Sequence, residues 1–251
     1  MRVAGLYDIH GNLPALEAVV AEVQRERMEQ VIVGGDVLPG PMPVECIELL
    51  LELEIPVQFI MGNGDREVLA RMRNIETDWY RSAREEWREP IDWTAQQLSA
   101  KHEQLIASWP ATVGLNIEGL GDVLFCHATP RNDTDIFTRT TSEEKLLPIF
   151  AVIEQAIVVC GHTHMQFDRM VGKMRVINAG SVGMPFGRTG ADWLRLGPGI
   201  QLRHTNYDLG RAAERIRQTT YPQAADFAGR YVLQARSEKF MLDSYSQYEV
   251  K

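Results

Sequence analysis

Only three cysteines occur in the 251 residues, at 46, 126 and 160, and no two form a CxxC. An odd, scattered set of this kind excludes a disulfide framework. Cys126 and Cys160 lie in apolar runs and read as small buried hydrophobes. No apolar run approaches the ~18 residues of a membrane span, so no membrane partner is expected. Basic charge is also scarce: 26 Lys and Arg stand against 34 Asp and Glu, a net charge of −8. A broad grip on nucleic acid needs a basic face and is not expected here. The opening "MRVAGLYDIHGN" runs into acid and histidine with no small-residue cleavage site, so a cytoplasmic protein is expected. There is no internal repeat and no low-complexity linker.

What is present is ordinary globular material, 45% hydrophobic and 24% charged, enough to bury a core in one large domain. "RVAGLYDIH" (2–10), "VIVGGD" (31–36) and "PVQFIMGNGD" (56–65) read as buried strands. They alternate with helices over 12–27 and 43–54, the first capped by Asn12 with Pro14 in its first turn. This alternation predicts a largely parallel sheet with covering helices. Residues 67–110 turn helical and charged. Hairpins are expected over 112–128 and 167–183, a helix over 142–155, a strand at 156–164, and a β-meander through "DWLRL" and "IQLRHTNYDL". Two helices close the chain from about 208, and the last polar stretch is expected to be loosely held.

The apolar runs end in the same kinds of residue. Asp8 and His10 close the first, Asp36 the second and Asn63 the third; His127 closes the first hairpin, and His162 and His164 follow "AIVVC". Ligand sites of α/β sheets collect beyond the carboxyl ends of strands. Extended i, i+2 spacing would turn Asp8 with His10, and His162 with His164, to one face. Four imidazoles, two carboxylates and an amide, with no thiolate, suit one or two divalent ions such as Mn, Fe, Zn, Co or Ni. Cys126, one residue before His127, should face the other way. His102 and His204 lie in polar or meander sequence and read as structural or exposed.

In order, "YDIHGN", "GGD", "GNGD", "CHATP", "CGHTH" and "NAGSVGMP" resemble the blocks of calcineurin-like metallophosphoesterases, in particular a small prokaryotic branch with DIHGN and a late GSVGxP loop. The likeness runs from about Arg2 to Tyr207. It implies an α+β fold, a four-layer αββα sandwich over 1–207; the helical pattern adds 67–110 as a helical segment expected near the site and 208–251 as a helical extension expected to pack on the same domain. It also implies a two-metal centre. Asp8, His10 and His164 would hold one ion, Asn63, His127 and His162 the other, and Asp36 would bridge them. Two ions ~3.5–4 Å apart would share a hydroxide and clamp a phosphoryl group for in-line attack. His10, Asp36 and Asn63 are then the expected catalytic residues.

Many relatives carry a histidine where this chain has Gly64, a group that helps the leaving oxygen depart. A phosphate oxygen with a second pKa of ~6 leaves without a proton more readily than an alkoxide does. The expected reaction is therefore hydrolysis of a phosphodiester or phosphoanhydride with a nucleotide-type leaving group. The rivals are a phosphomonoesterase or protein phosphatase, and a non-catalytic scaffold of the same fold, such as the retromer subunit that also lacks this histidine. The expected partner is a small phosphorylated substrate touched by Asn12, Gly64 and Arg66; self-association into a homo-oligomer stays open. Asp65 is expected to orient the turn behind Asn63. The other arginines between 71 and 88 are interleaved with acids and read as a salt-bridged face. The tryptophans read as core. Gly180, Ser181 and Gly183 either offer N–H groups to phosphate or form a plain turn.

Overall fold

A computed structural model describes residues 1–250. The first half supplies β1 (Val3–Leu6), α1 (Leu13–Arg25), β2 (Gln30–Val33), α2 (Pro43–Leu51) and β3 (Val57–Phe59). Four helices follow: α3 (Asn63–Met72), α4 (Asp78–Ser82), α5 (Glu85–Gln97) and α6 (Ala100–Ala107). Then come β4 (Thr112–Ile117), β5 (Gly121–Cys126), α7 (Glu143–Phe150), β6 (Ile157–Cys160), β7 (Phe167–Val171) and β8 (Met174–Asn178). The chain ends through β9 (Ala191–Leu196), β10 (Ile200–Thr205), α8 (Leu209–Arg217), α9 (Ala224–Phe227) with a π-helical turn after it, and α10 (Glu238–Tyr245).

Two five-stranded mixed sheets form, in the orders β10-β9-β1-β2-β3 and β4-β5-β6-β8-β7. Alternate residues of each central strand feed different cores, as period-2 pleating demands. Ile32 joins Phe125, Val159, Ile177 and Leu194 between the sheets. Its neighbours Val31 and Val33 face α1 and α2 through Val19, Val23, Ile47 and Leu50. On the far side, Val158 and Cys160 pack with Leu146, Ile149 and Phe150 of α7. The result is a four-layer αββα sandwich, and Cys126 lies in that outer layer, away from His127 as expected.

Three local expectations are corrected. Residues 60–65 do not continue a buried strand: β3 is short, with Gln58 exposed, and Asn63 opens α3. The meander does not run on from β7 and β8. The β9/β10 hairpin crosses to the other sheet, where β9 pairs antiparallel with β1. The C-terminal stretch is tied down rather than loose. Met241 of α10 is buried with Met165 and Phe186, and the Val250 N–H donates to Ile136 O at 2.9 Å. Ala212, Ile216, Phe227 and Val232 of the C-terminal segment enter the same core as α1 and α2. None of the helices among the described residues is long and apolar enough to cross a membrane.

Tyr7 ties the layers together directly beneath the ligand loops. Its ring is fully buried between the sheets, and its hydroxyl donates to Val159 O at 3.2 Å. A Cβ at Gly34 would lie 1.9 Å from that ring, and one at Gly161 2.5 Å, so both glycines make room for the phenol.

Candidate metal centre

All seven predicted ligands follow strands of the two sheets and meet at one edge of the sandwich. The extended i, i+2 spacing invoked for them is not what brings them together. Strands β1, β2 and β6 end before their ligands, and the loops turn through left-handed backbone instead. Among the described residues, seven non-glycine residues have positive φ, and five are predicted ligands: Asp8 (53°), His10 (48°), Asp36 (53°), His162 (66°) and His164 (57°). Non-glycine residues adopt this region rarely and at a cost, and such strain concentrates at functional sites. The β1 and β2 loops hold each other in it: Asp8 N–H donates to Gly35 O, His10 N–H to Asp36 O and Gly11 N–H to Val37 O, at 2.9–3.0 Å.

Two clusters result. Asp8, His10 and His164 form one, and Asp36, His127 and His162 the other, each with ligand atoms within 4.8 Å of one another. Asp36 spans them, with Oδ2 3.8 Å from His10 Nε2 and Oδ1 3.6 Å from His127 Nε2. Asn63 Oδ1 lies 3.1 Å from His127 Nε2.

The donor set fits divalent cations. His127 gives Nδ1–H to Gly34 O and His164 gives Nδ1–H to Met184 O, both at 2.9 Å. That fixes the tautomers and turns each Nε2 lone pair inward, the usual arrangement behind a metal-binding imidazole. Asp8 Oδ1 is buried with no hydrogen-bond partner. The Asn63 carbonyl oxygen faces the His127 lone pair, acceptor against acceptor. Turning the amide over gives Nδ2 donors to His127 Nε2 at 3.1 Å and His162 Nδ1 at 2.9 Å; a cation among these atoms satisfies them without the turn.

The electrostatics agree. Burial, with imidazole neighbours adding to it, lowers His10 and His162 to about 3, so both are unprotonated at neutral pH. Burial would raise Asp8, but His164 beside it holds its carboxyl well below the usual range. Asp36 is raised by burial and by the Asp8 charge, and His164, despite burial, is raised by Asp8. Two carboxylates buried this close cannot both ionise comfortably without positive charge between them.

Asp65 is the main support. Its carboxylate accepts from Asp36 N–H (2.7 Å), Leu38 N–H (2.9 Å) and Gly62 N–H (3.1 Å), so it fixes the Asp36 loop and caps α3 at once. Burial and the Asp36 charge push it up to about 8. Gly64 donates its N–H to Asp36 Oδ1 at 2.7 Å. A Cβ there would sit 2.4 Å from Leu38 O, which is why the position carries none.

The residues expected to touch substrate are placed less simply. Asn12 is fully buried: its Oδ1 caps Ala15 N–H and its Nδ2 donates to Gly183 O at 2.8 Å, so it holds loops together. Gly64 presents its N–H to Asp36 rather than outward. Arg66 is held by Asp133 at 2.7 and 3.2 Å and by Glu67 at 2.6 Å, and it lines a cavity beside His127. The remaining arginines form the salt-bridged face expected, for example Arg71 with Asp92 and Arg73 with Glu103. The Gly180–Gly183 turn is structural. Gly180 N–H goes to Asn178 Oδ1, Val182 N–H to Tyr7 O and Gly183 N–H to Asp8 O. His102 caps Ser99 N–H, and His204 pairs with Asp192 at 2.8 Å, both outside the site.

One contact was not foreseen. The C-terminal helix approaches the site through Phe186, whose ring stacks on His164 (centroids 5.0 Å, 18°) and neighbours Tyr245 at 6.5 Å. The sequence signal for it was the apolar run Phe240, Met241 and Leu242 in a mostly polar tail.

A family model for the calcineurin-like phosphoesterase superfamily domain matches residues 1–195. An uncharacterized protein of Methanocaldococcus jannaschii is 26% identical over 244 residues, covering 88% of this chain and 94% of that one. Among solved structures, a hypothetical protein from Pyrococcus horikoshii superposes with a TM-score of 0.78 at 19% identity, over 93% of this chain and 99% of the other. A metallophosphoesterase from Sphaerobacter thermophilus gives 0.71 at 24% identity, over 92% and 98%.

Proposed function

The chain belongs to the calcineurin-like phosphoesterase superfamily, and from that premise we propose that it is a binuclear metal-dependent phosphoesterase acting on a phosphodiester or phosphoanhydride with a nucleotide-type leaving group. The observation that carries the two-ion reading is the pair of ligand clusters with Asp36 between them. Divalent ions held there supply charge neutralisation for a phosphoryl group and acidify a water at neutral pH.

The chain's own residues do the rest. Gly34 O and Met184 O orient His127 and His164 so that their Nε2 atoms face the centre. Asp65 holds the Asp36 loop, and the Gly64 N–H holds Asp36 Oδ1, so the carboxylate is preorganised before substrate arrives. His10 and Asn63 reach the site from the β1 loop and the first turn of α3. With no side chain at position 64, none there protonates the departing oxygen, so groups that leave as stable anions are favoured.

The test is metal content together with turnover. Protein purified without chelator should hold close to two divalent ions per chain and hydrolyse bis(p-nitrophenyl) phosphate. His127→Ala and Asp36→Asn should each remove nearly all turnover while the fold survives in circular dichroism. One ion or none after reconstitution with Mn²⁺, or a variant that keeps most of its rate, would refute the assignment.

A further inference from the structure

Beside the second ligand cluster lies a cavity of about 350 Å³, within the ~300–1,000 Å³ of small-molecule sites. His127 forms part of its wall, so whatever fills it adjoins the metal centre. Met61, Trp109 and Pro130 give it apolar surface, and Arg66 and Arg131 line it as well. Trp109 is held rigidly, stacked on Phe59 at 4.8 Å and 5°.

The two arginines would ordinarily point to a second phosphate. Their partners argue otherwise. Arg66 is tied to Asp133 and Glu67, and Arg131 to Asp135 at 2.5 and 3.1 Å. Two guanidinium charges are thus set against three carboxylates, a local balance of −1. A further phosphate placed in this cavity would meet no free positive charge. The guanidinium N–H groups are not exhausted, however. Arg66 has committed three of its five and Arg131 two, so donors remain for neutral acceptor atoms. Apolar surface with spare N–H donors and no surplus positive charge suits an uncharged heteroaromatic ring.

We infer that this cavity is the subsite for the ester arm that stays on phosphorus, and that it receives an uncharged aromatic group, a nucleobase with its ribose, while the other arm departs as a stable anion. The substrate class is then a nucleoside phosphoester cleaved on the side away from the nucleoside, which releases a nucleoside monophosphate. Calling the bound group the retained arm rests on the phosphoesterase reading; the cavity's preference for a neutral ring does not.

The probe is adenosine, which carries the ring and no phosphate, titrated calorimetrically into the Mn²⁺-loaded full-length protein. Ala111 is exposed and lies on the cavity wall, so Ala111→Phe should fill the cavity without disturbing the core. The parent should bind adenosine, and Ala111→Phe should weaken binding at least tenfold with metal content unchanged. Arg131→Gln, at an exposed position, should weaken it several-fold by removing N–H donors. Gln96→Phe, which places the same bulk in the shallow depression beside Trp93, should leave it unaltered. Absence of adenosine binding in the parent, or equal affinity in parent and Ala111→Phe, overturns the assignment. Turnover of bis(p-nitrophenyl) phosphate is followed in parallel. Turnover without adenosine binding removes the subsite and leaves the phosphoesterase standing; adenosine binding without turnover does the reverse.

Discussion

Restoring a side chain to position 64 should damage the protein rather than equip it with an acid. The perturbation is Gly64→Ala, with Gly64→His beside it. A Cβ at this position falls 2.4 Å from Leu38 O and 3.0 Å from Pro39 Cδ, where ordinary contacts begin near 3.4 Å. The nearer obstacle is backbone, so it cannot swing aside. Overpacking of this kind costs about 1–3 kcal/mol. Relief by moving the α3 start away stretches the 2.7 Å bond from Gly64 N–H to Asp36 Oδ1. Without metal Asp36 is held protonated, and a hydrogen bond between neutral groups contributes about 0.5–1.5 kcal/mol. Against this, replacing a helical glycine returns at most ~1 kcal/mol. The net expectation is a loss of about 0.5–3.5 kcal/mol, and at roughly 2–4 °C per kcal/mol for a domain of this size a fall in Tm of about 1–14 °C. Because the clash belongs to the Cβ, alanine and histidine should cost nearly the same. The assay is calorimetric unfolding of the three proteins without metal, followed by kcat/KM across aryl diesters of graded leaving-group pKa. The parent should show a steep dependence, each tenfold step being ~1.4 kcal/mol of barrier. A Gly64→His protein as stable as the parent, with that dependence flattened, would refute the reasoning.

Metal uptake should depend on pH through two groups and not through two others. His164 and Asp36 sit above their ordinary values in the metal-free protein, so cations must displace their protons, and affinity should climb as pH rises through neutrality. His10 and His162, at about 3, have no proton to lose there. Mn²⁺ titration in buffers of different ionisation enthalpy should register proton release that falls as the pH is raised; absent release would contradict the assignment. Tyr7→Ala should cost about 3–5 kcal/mol as a large buried cavity. Gly34→Ala, blocked by the same ring, should be far less harmful in that background, a coupling that denaturant midpoints would expose and that simple additivity would disprove.

The candidate ligand set was legible because it depends on residue type and order: acids, imidazoles and an amide after apolar runs. The same seven residues meet in the structure. The reason assigned to their convergence was wrong, since left-handed φ at Asp8, His10, Asp36, His162 and His164 leaves no trace in a hydrophobic pattern. Sheet membership of β9 and β10 was equally silent. Their alternation fits either sheet, and only the pairing of β9 with β1 decides it. Asn12 and Arg66 stand where substrate contacts were expected, but a polar residue near a site looks fully available until its partners are known: Gly183 O takes the Asn12 amide, and Asp133 with Glu67 hold Arg66 while leaving it on the cavity wall.

The carbonyl of Asp8 accepts from the Gly183 N–H and from Ser181 Oγ, a bond spanning 173 positions of sequence. During synthesis at about 5–20 residues per second, the first ligand therefore waits roughly 9–35 s for the loop that steadies it. Its strand waits longer, because the neighbour β9 emerges later still. The nascent chain displays acids and histidines before it can arrange them, so any ion caught early is held by a floppy, unselective set. Ordered binding at this site would have to follow the arrival of the 181–183 loop and β9, and a chain truncated before residue 180 should carry the candidate ligands of both clusters yet lack the scaffold that aligns them.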